Sequence, residues 1–139
     1  MKTARPSGVR PASASRRLKH PVVLVVDDEA AIRLGVKMLL EHRLGAKVIE
    51  AASNAQALRA AKNRTFDLVI SDYGRAGGDG LEFLREFKSR YPATPVIMHT
   101  AQLARIRQRA RRLGASACLQ KMMALPRLRI IARVLSAHR

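Results

Sequence analysis

Tryptophan is absent from this chain of 139 residues, and three Phe and two Tyr are all the aromatic side chains it has. Little is available for stacking nucleobases, which disfavours sequence-specific binding to single strands. Cysteine occurs once, at Cys118, so no intramolecular disulfide can form and a reducing cytoplasm suits the chain. No apolar run approaches the roughly 18 residues that span a bilayer. The start, Met1 to His20, also lacks the apolar centre of a secretion signal. A soluble, cytoplasmic protein with no membrane partner is therefore expected.

Acidic residues are missing from both ends. Met1 to His20 carries six basic side chains and no acid, Pro21 to Phe87 nine basic and ten acidic, and Lys88 to Arg139 twelve basic and none acidic. The formal charge of +17 thus comes from the flanks, and the last third presents a field of one sign. Residues 1–20, with Pro6, Pro11 and no hydrophobic period, read as a basic, disordered tail. An organelle transit peptide shares this composition, but the plain tail is the preferred reading. Residues 21–139 are the right length for one domain with an independent core.

Within that domain, short apolar runs alternate with helical patterns. Strands are predicted over Val22 to Val26, Ala46 to Glu50, Asp67 to Ser71, Pro95 to His99 and Ser116 to Leu119. Helices are predicted over Glu29 to Arg43, Ser53 to Asn63, Gly80 to Arg90, Gln102 to Leu113 and a last segment ending near Ala137. Gly45 and Gly114 follow basic helix ends, where left-handed caps favour glycine. Ser53 and Gln56 have capping-box spacing, and Pro126 suits a first helical turn. Leu128, Ile131 and Leu135 share a helix face. Uninterrupted apolar strands such as Val22-Val23-Leu24-Val25-Val26 imply burial on both faces. The expected fold is α/β: a five-stranded parallel sheet with helices on both faces, doubly wound and flavodoxin-like.

Ligand sites in such sheets lie beyond the carboxyl ends of the strands. Asp27-Asp28-Glu29 follows the first strand, Asp72 the third, Thr100 the fourth and Lys121 the fifth. Carboxylates gathered at one rim repel one another unless a cation neutralises them, and hard oxygen donors suit Mg2+. A carboxylate can attack a phosphoryl group when a metal and a cationic side chain offset the charge on the incoming oxygens. Asp72 is the candidate nucleophile, Lys121 the counter-charge, and Thr100 a hydroxyl able to donate to a phosphoryl oxygen.

The order and spacing of Val25-Val26-Asp27-Asp28-Glu29, Leu68-Val69-Ile70-Ser71-Asp72 with Asp79-Gly80, Val96-Ile97-Met98-His99-Thr100-Ala101, and Gly114-Ala115 leading to Lys121 resemble a response-regulator receiver domain over about Pro21 to Ala137. The resemblance implies that Asp28 and Asp72 ligate Mg2+ directly and that Asp27 assists through water. It further implies that the backbone carbonyl of Gly74 completes the protein ligands. Asp72 would receive its phosphoryl group from a histidine kinase or phosphotransfer protein. Thr100 would then be drawn inward, changing the surface of the fourth helix, fifth strand and fifth helix.

The chain departs from the family pattern in three places. Ala76 replaces a proline four residues after the acceptor aspartate, which predicts a more flexible Gly74-Arg75-Ala76-Gly77-Gly78 loop. Cys118 stands where the fifth strand commonly carries an aromatic that rotates with the sensor hydroxyl. Met122 follows the lysine where a cis proline is usual, and a cis bond to a non-proline residue costs about 3 kcal/mol.

Each residue also has a bland reading. Asp27-Asp28 alone would suit a helix cap, Thr100 an N-cap of the next helix, and Lys121 a solvated surface lysine. His99, with no spaced His or Cys partner, reads as a strand residue, and Cys118 as a small buried hydrophobe. Arg105, Arg107, Arg109, Arg111 and Arg112 surround their helix, so some are merely solvated. An acidic protein is the favoured partner for that basic surface, with nucleic acid phosphates the less favoured one.

The function expected is a stand-alone receiver, phosphorylated on Asp72 and signalling to a downstream protein. The alternative is a degenerate receiver acting as a constitutive basic binding module. An aspartyl phosphatase, the third class, would carry a second acid two residues after its nucleophile, and Gly74 stands there. No turnover of external substrates is expected.

Overall fold

The computed structural model describes residues 20–75, 78–121 and 125–137. The expected tail, the proline-replacing Ala76 and the Lys121–Met122 bond lie outside those residues, wholly or in part. Five strands, β1 (Val22–Val26), β2 (Lys47–Ala51), β3 (Leu68–Ser71), β4 (Val96–Thr100) and β5 (Ala117–Gln120), form one sheet in the order β2-β1-β3-β4-β5. Every pairing in it is parallel. Five helices alternate with the strands: α1 (Ala30–Leu44), α2 (Asn54–Asn63), α3 (Gly80–Arg90), α4 (Leu103–Arg112) and α5 (Leu125–Ala137).

Alternation of side chains along each strand divides the core into two layers. Leu24, Val26, Val69, Val96 and Met98 meet Ala57 and Ala61 of α2, Phe83 and Phe87 of α3, and Ile106 and Ala110 of α4. Val23, Val25, Leu68, Ile70, Ile97 and Leu119 meet Val36 and Leu40 of α1 and Leu128, Ile131 and Leu135 of α5. The sheet is covered on both faces, as its continuous apolar runs require.

Local chemistry sets the helix ends. Gly45 adopts φ 64 at the end of α1, the left-handed cap expected of it. Gly114, also left-handed at φ 106, comes one residue beyond the α4 cap, Leu113. Ser53 Oγ accepts from the Gln56 N–H at 3.2 Å, and Gln56 Oε1 accepts from the Ala52 N–H at 2.8 Å. The capping box therefore closes one residue earlier than its usual reciprocal bond. Asp79 caps α3 by accepting from the Leu81 N–H at 2.8 Å.

Two features differ from expectation. Thr100 is not the N-cap of α4: that position is Gln102, whose N–H donates to Thr100 Oγ1 at 2.9 Å, while Thr100 itself ends β4. The flanks of the loop after Asp72 pair as a short antiparallel hairpin, Gly74 with Asp79 and Arg75 with Gly78.

Candidate functional site

Four strand ends meet at the carboxyl rim of the sheet, beside the point between β1 and β3 where the strand order reverses. Asp27 leaves β1 with its N–H bound to the Ala51 carbonyl at 3.0 Å. Asp72 leaves β3 with its N–H on the Val26 carbonyl at 2.9 Å, and the Lys121 N–H binds the Thr100 carbonyl at 2.9 Å. Extensions of the parallel ladders thus place the functional side chains, which gives them the rigidity of the sheet.

Asp27, Asp28 and Asp72 each present a carboxylate oxygen within 4.8 Å of the others. Asp27 and Asp72 are buried, at 2% and 4% exposure, and Asp28 is more open. Asp27 Oδ1 accepts from the Glu29 N–H at 2.9 Å, bracing the turn into α1. Lys121 Nζ reaches Asp27 Oδ2 at 3.0 Å, Asp72 Oδ1 at 3.3 Å and Glu29 Oε1 at 3.3 Å. One ammonium therefore serves three carboxylates.

The electrostatics follow from that imbalance. Burial raises the Asp72 carboxyl pKa above its ordinary value; Asp27 pushes it further up, and Lys121 opposes both. For Lys121, burial alone would lower the pKa, but Asp27, Asp72 and Glu29 outweigh it and hold the ammonium charged. Negative charge remains in excess at a rim made of hard oxygen donors, an arrangement that fits a divalent ion such as Mg2+.

Thr100 is buried, and its Oγ1 already accepts one bond, from Gln102. Accepting occupies a lone pair and leaves the hydroxyl hydrogen for another acceptor. His99 points to the other face of the sheet, 3% exposed, with Nε2 lacking a hydrogen-bond partner among the described residues. Burial lowers its pKa to about 4, with Lys121 adding to the effect. It is a strand residue, as expected. Cys118 is half-buried on β5, more open than a core hydrophobe. Burial raises its thiol pKa against the nearby Arg107 and Arg111.

Three supporting residues escaped the sequence reading. Arg33 donates from Nη1 to the Asp27 carbonyl at 2.6 Å and from Nε to Glu50 Oε1 at 3.0 Å, tying α1 and β2 to the acidic turn. A basic residue in the first turn of a helix opposes the helix dipole, and that misfit was its available signal. Glu29 was seen only as part of the acidic run, yet it contacts Lys121. Gly80 gives its N–H to the Tyr73 carbonyl at 2.6 Å. A Cβ there would lie 2.2 Å from the Asp72 carbonyl oxygen and 2.6 Å from Tyr73 Cα. The Asp79-Gly80 pair thus has two separate duties: a helix cap, and a close backbone approach behind Asp72.

Comparison with known proteins agrees with this geometry. The family model for the response regulator receiver domain matches residues 23–133. The transcriptional activator protein ExaE of Pseudomonas putida is 37% identical over 121 residues, covering 84% of this chain and 56% of the activator. The KDP operon transcriptional regulatory protein KdpE of Escherichia coli K12 is 41% identical over 80 residues, 58% of this chain and 35% of that protein. The matched part of the chain thus spans about half of these relatives or less. Among solved structures, a CheY-like receiver domain protein from Methanospirillum hungatei superposes with a TM-score of 0.80 at 26% identity, covering 86% of this chain and 96% of that one. The receiver domain of NtrX from Brucella abortus gives 0.76 at 34% identity, covering 81% and 97%.

Proposed function

The chain belongs to the response-regulator receiver family, and from that premise we propose that it accepts a phosphoryl group on Asp72 from a histidine kinase or phosphotransfer protein, in the cytoplasm and with Mg2+. The observation that carries this reading is the reach of Lys121 Nζ to both Asp72 and Asp27. It joins the fifth strand end to the first and third around one carboxylate.

In the transfer, an Asp72 oxygen attacks phosphorus while the P–N bond of the donor phosphohistidine breaks. The imidazole leaves with the electron pair, and an acyl phosphate remains on Asp72. Lys121 stabilises the charge on the transferring oxygens, and Thr100 donates its hydroxyl to one of them once the bond is made. Asp28, Asp72 and the Gly74 carbonyl would hold Mg2+, with Asp27 assisting through water. Bound there, the ion supplies positive charge opposite the incoming oxygens. The raised pKa of Asp72 also makes neutralising its charge favourable. Receiver domains are signalling phosphoacceptors, and this one signals to another protein through the surface of α4, β5 and α5.

Incubation with acetyl phosphate and MgCl2, followed by intact-mass spectrometry, tests the assignment. One phosphoryl adduct is expected on the parent, and none on Asp72→Ala or in excess EDTA. No adduct on the parent, or an equal adduct on Asp72→Ala, would refute it.

A further inference from the structure

The charge of α4 is not used by the phosphoacceptor site. Arg105, Arg107, Arg109, Arg111 and Arg112 are all exposed, and only Ile106 and Ala110 of this helix are buried. Four cations on α1 and α3 are matched by acids: Arg33 with Glu50, Lys37 with Glu41, Arg85 with Glu82 and Arg90 with Glu86. Among the described residues, no ion pair includes an arginine of α4, and no acid occurs anywhere from Lys88 onward. Arg105, Arg109 and Arg112 follow one another at i, i+4 and i+7, so they stack on one face and repel.

That face borders a concavity. A half-open groove of about 630 Å³ lies along α4 and reaches Gln120 at the end of β5, its lining including Arg105, Arg107, Arg109 and Arg112. The Gln120 side chain is fixed by donating to the Ala101 carbonyl at 3.1 Å. β5 is an edge strand of the sheet, and Gln120 is the residue it contributes to the groove. The groove is of the size that encloses a few residues of peptide.

We propose that this groove docks an acidic segment of a partner protein, its carboxylates paired with Arg105, Arg109 and Arg112. The inference rests on the reading that the signal leaves by this surface, and it adds the chemistry of the partner. Guanidinium groups meet carboxylates in a bidentate, planar fashion that suits a confined groove. Guanidinium groups pair with phosphates as well, but basic grooves that hold single-stranded nucleic acid also carry aromatics on which the bases stack. The described aromatics lie elsewhere, with Phe83 and Phe87 in the core and Tyr91 packed against it.

The test is fluorescence anisotropy with the full chain and a labelled peptide of alternating Glu and Leu, beside its Lys and Leu counterpart and a labelled DNA duplex. The groove variant is Arg105→Gln, Arg109→Gln and Arg112→Gln together. The control, Arg43→Gln, Arg59→Gln and Lys62→Gln, removes the same charge from exposed positions of α1 and α2, outside the α4-β5-α5 surface. The acidic peptide should bind the parent, and its affinity should fall about tenfold or more in the groove variant while staying within about threefold in the control. The basic peptide should not bind. Equal losses in the two variants would overturn the proposal, as would a duplex that outcompetes the acidic peptide for the groove. Phosphoryl incorporation on the same samples, read by mass, reports on Asp72 independently. Its absence would sink the phosphoacceptor reading without touching the peptide result.

Discussion

Acidification should destabilise this domain through His99 by an amount that follows from its shifted pKa. The ring is buried on β4, Nε2 has no hydrogen-bond partner among the described residues, and burial is the main cause of its pKa falling from 6.5 to about 4. Lys121 and Arg127 lower it further, and Asp27 works in the opposite direction. Because the folded-state value lies below the unfolded one, the unfolded chain takes up the proton first. Stability is therefore intact above about pH 6.5 and is lost as pH falls toward 4. At about 1.4 kcal/mol per pKa unit, the loss between pH 7 and pH 4.5 is about 2.5 kcal/mol, a large part of the stability of a small domain. Asp72 partly masks this loss, since its raised pKa means the folded state gains stability as that carboxylate protonates. The clean measurement is a difference. Urea unfolding of the parent and His99→Val, followed from pH 7.5 to 4.5 in EDTA, removes every titration the two share. The valine variant loses some packing equally at all pH values. The parent should lose about 2.5 kcal/mol relative to it across the range. Parallel curves would refute the reasoning and place a charged or solvated ring at position 99.

The remaining predictions concern the acidic rim. Asp72→Asn should raise the Tm by about 3 °C or more at pH 7 in EDTA, because burial and Asp27 both disfavour the carboxylate; an unchanged or lower Tm by calorimetry contradicts that. Adding MgCl2 at about 100 times its dissociation constant should stabilise the parent by about 2.7 kcal/mol, and Asp28→Asn should abolish most of the shift at the same concentration. Gly80→Ala drives a Cβ into the backbone of Asp72 and Tyr73, so unfolding free energy should fall by about 3 kcal/mol and phosphorylation by acetyl phosphate should slow sharply. Arg33→Ala should cost about 1–3 kcal/mol and weaken Mg2+ binding, since it releases the Asp27 carbonyl and Glu50; Mg2+ titration with unchanged affinity would show the clamp to be idle.

Some of this was legible in the sequence because apolar patterning reports burial directly. Val22 to Val26 could be placed to the residue, since both its faces are covered. The other strand ends were less accessible: β4 and β5 reach Thr100 and Gln120, polar residues that an apolar run does not include. They belong to the strands because they pair with each other across the sheet, and such pairing joins residues far apart in the chain. Asp72, the acid pair and the lysine stood out by their places just past the strands, and the fold brings them together. Their supports were not. Nothing local connects Arg33 to Glu50, or Lys121 to Glu29, which are 92 positions apart. Gly80 was visible as a motif, but the reason for it, backbone contact with Asp72, exists only in three dimensions.

The replacement of the fifth-strand aromatic by Cys118 puts weight on a different route from the acidic rim to the basic groove. Thr100 Oγ1 holds the Gln102 N–H at 2.9 Å, and Gln102 is the N-cap of α4. If Oγ1 itself is drawn toward a phosphoryl oxygen on Asp72, it must either carry Gln102 with it or give up that bond. The Gln102 carbonyl accepts from the Arg105 N–H at 3.0 Å, so a displaced Gln102 would alter the first turn of α4. Leu103 and Arg105 stand in that turn and line the groove. The side chain of Gln120 ties the far wall of the groove to Ala101, the residue between Thr100 and Gln102. Both walls are therefore fastened to the same short segment. A shift of that segment on phosphorylation would reach both walls of the groove without an aromatic to relay it.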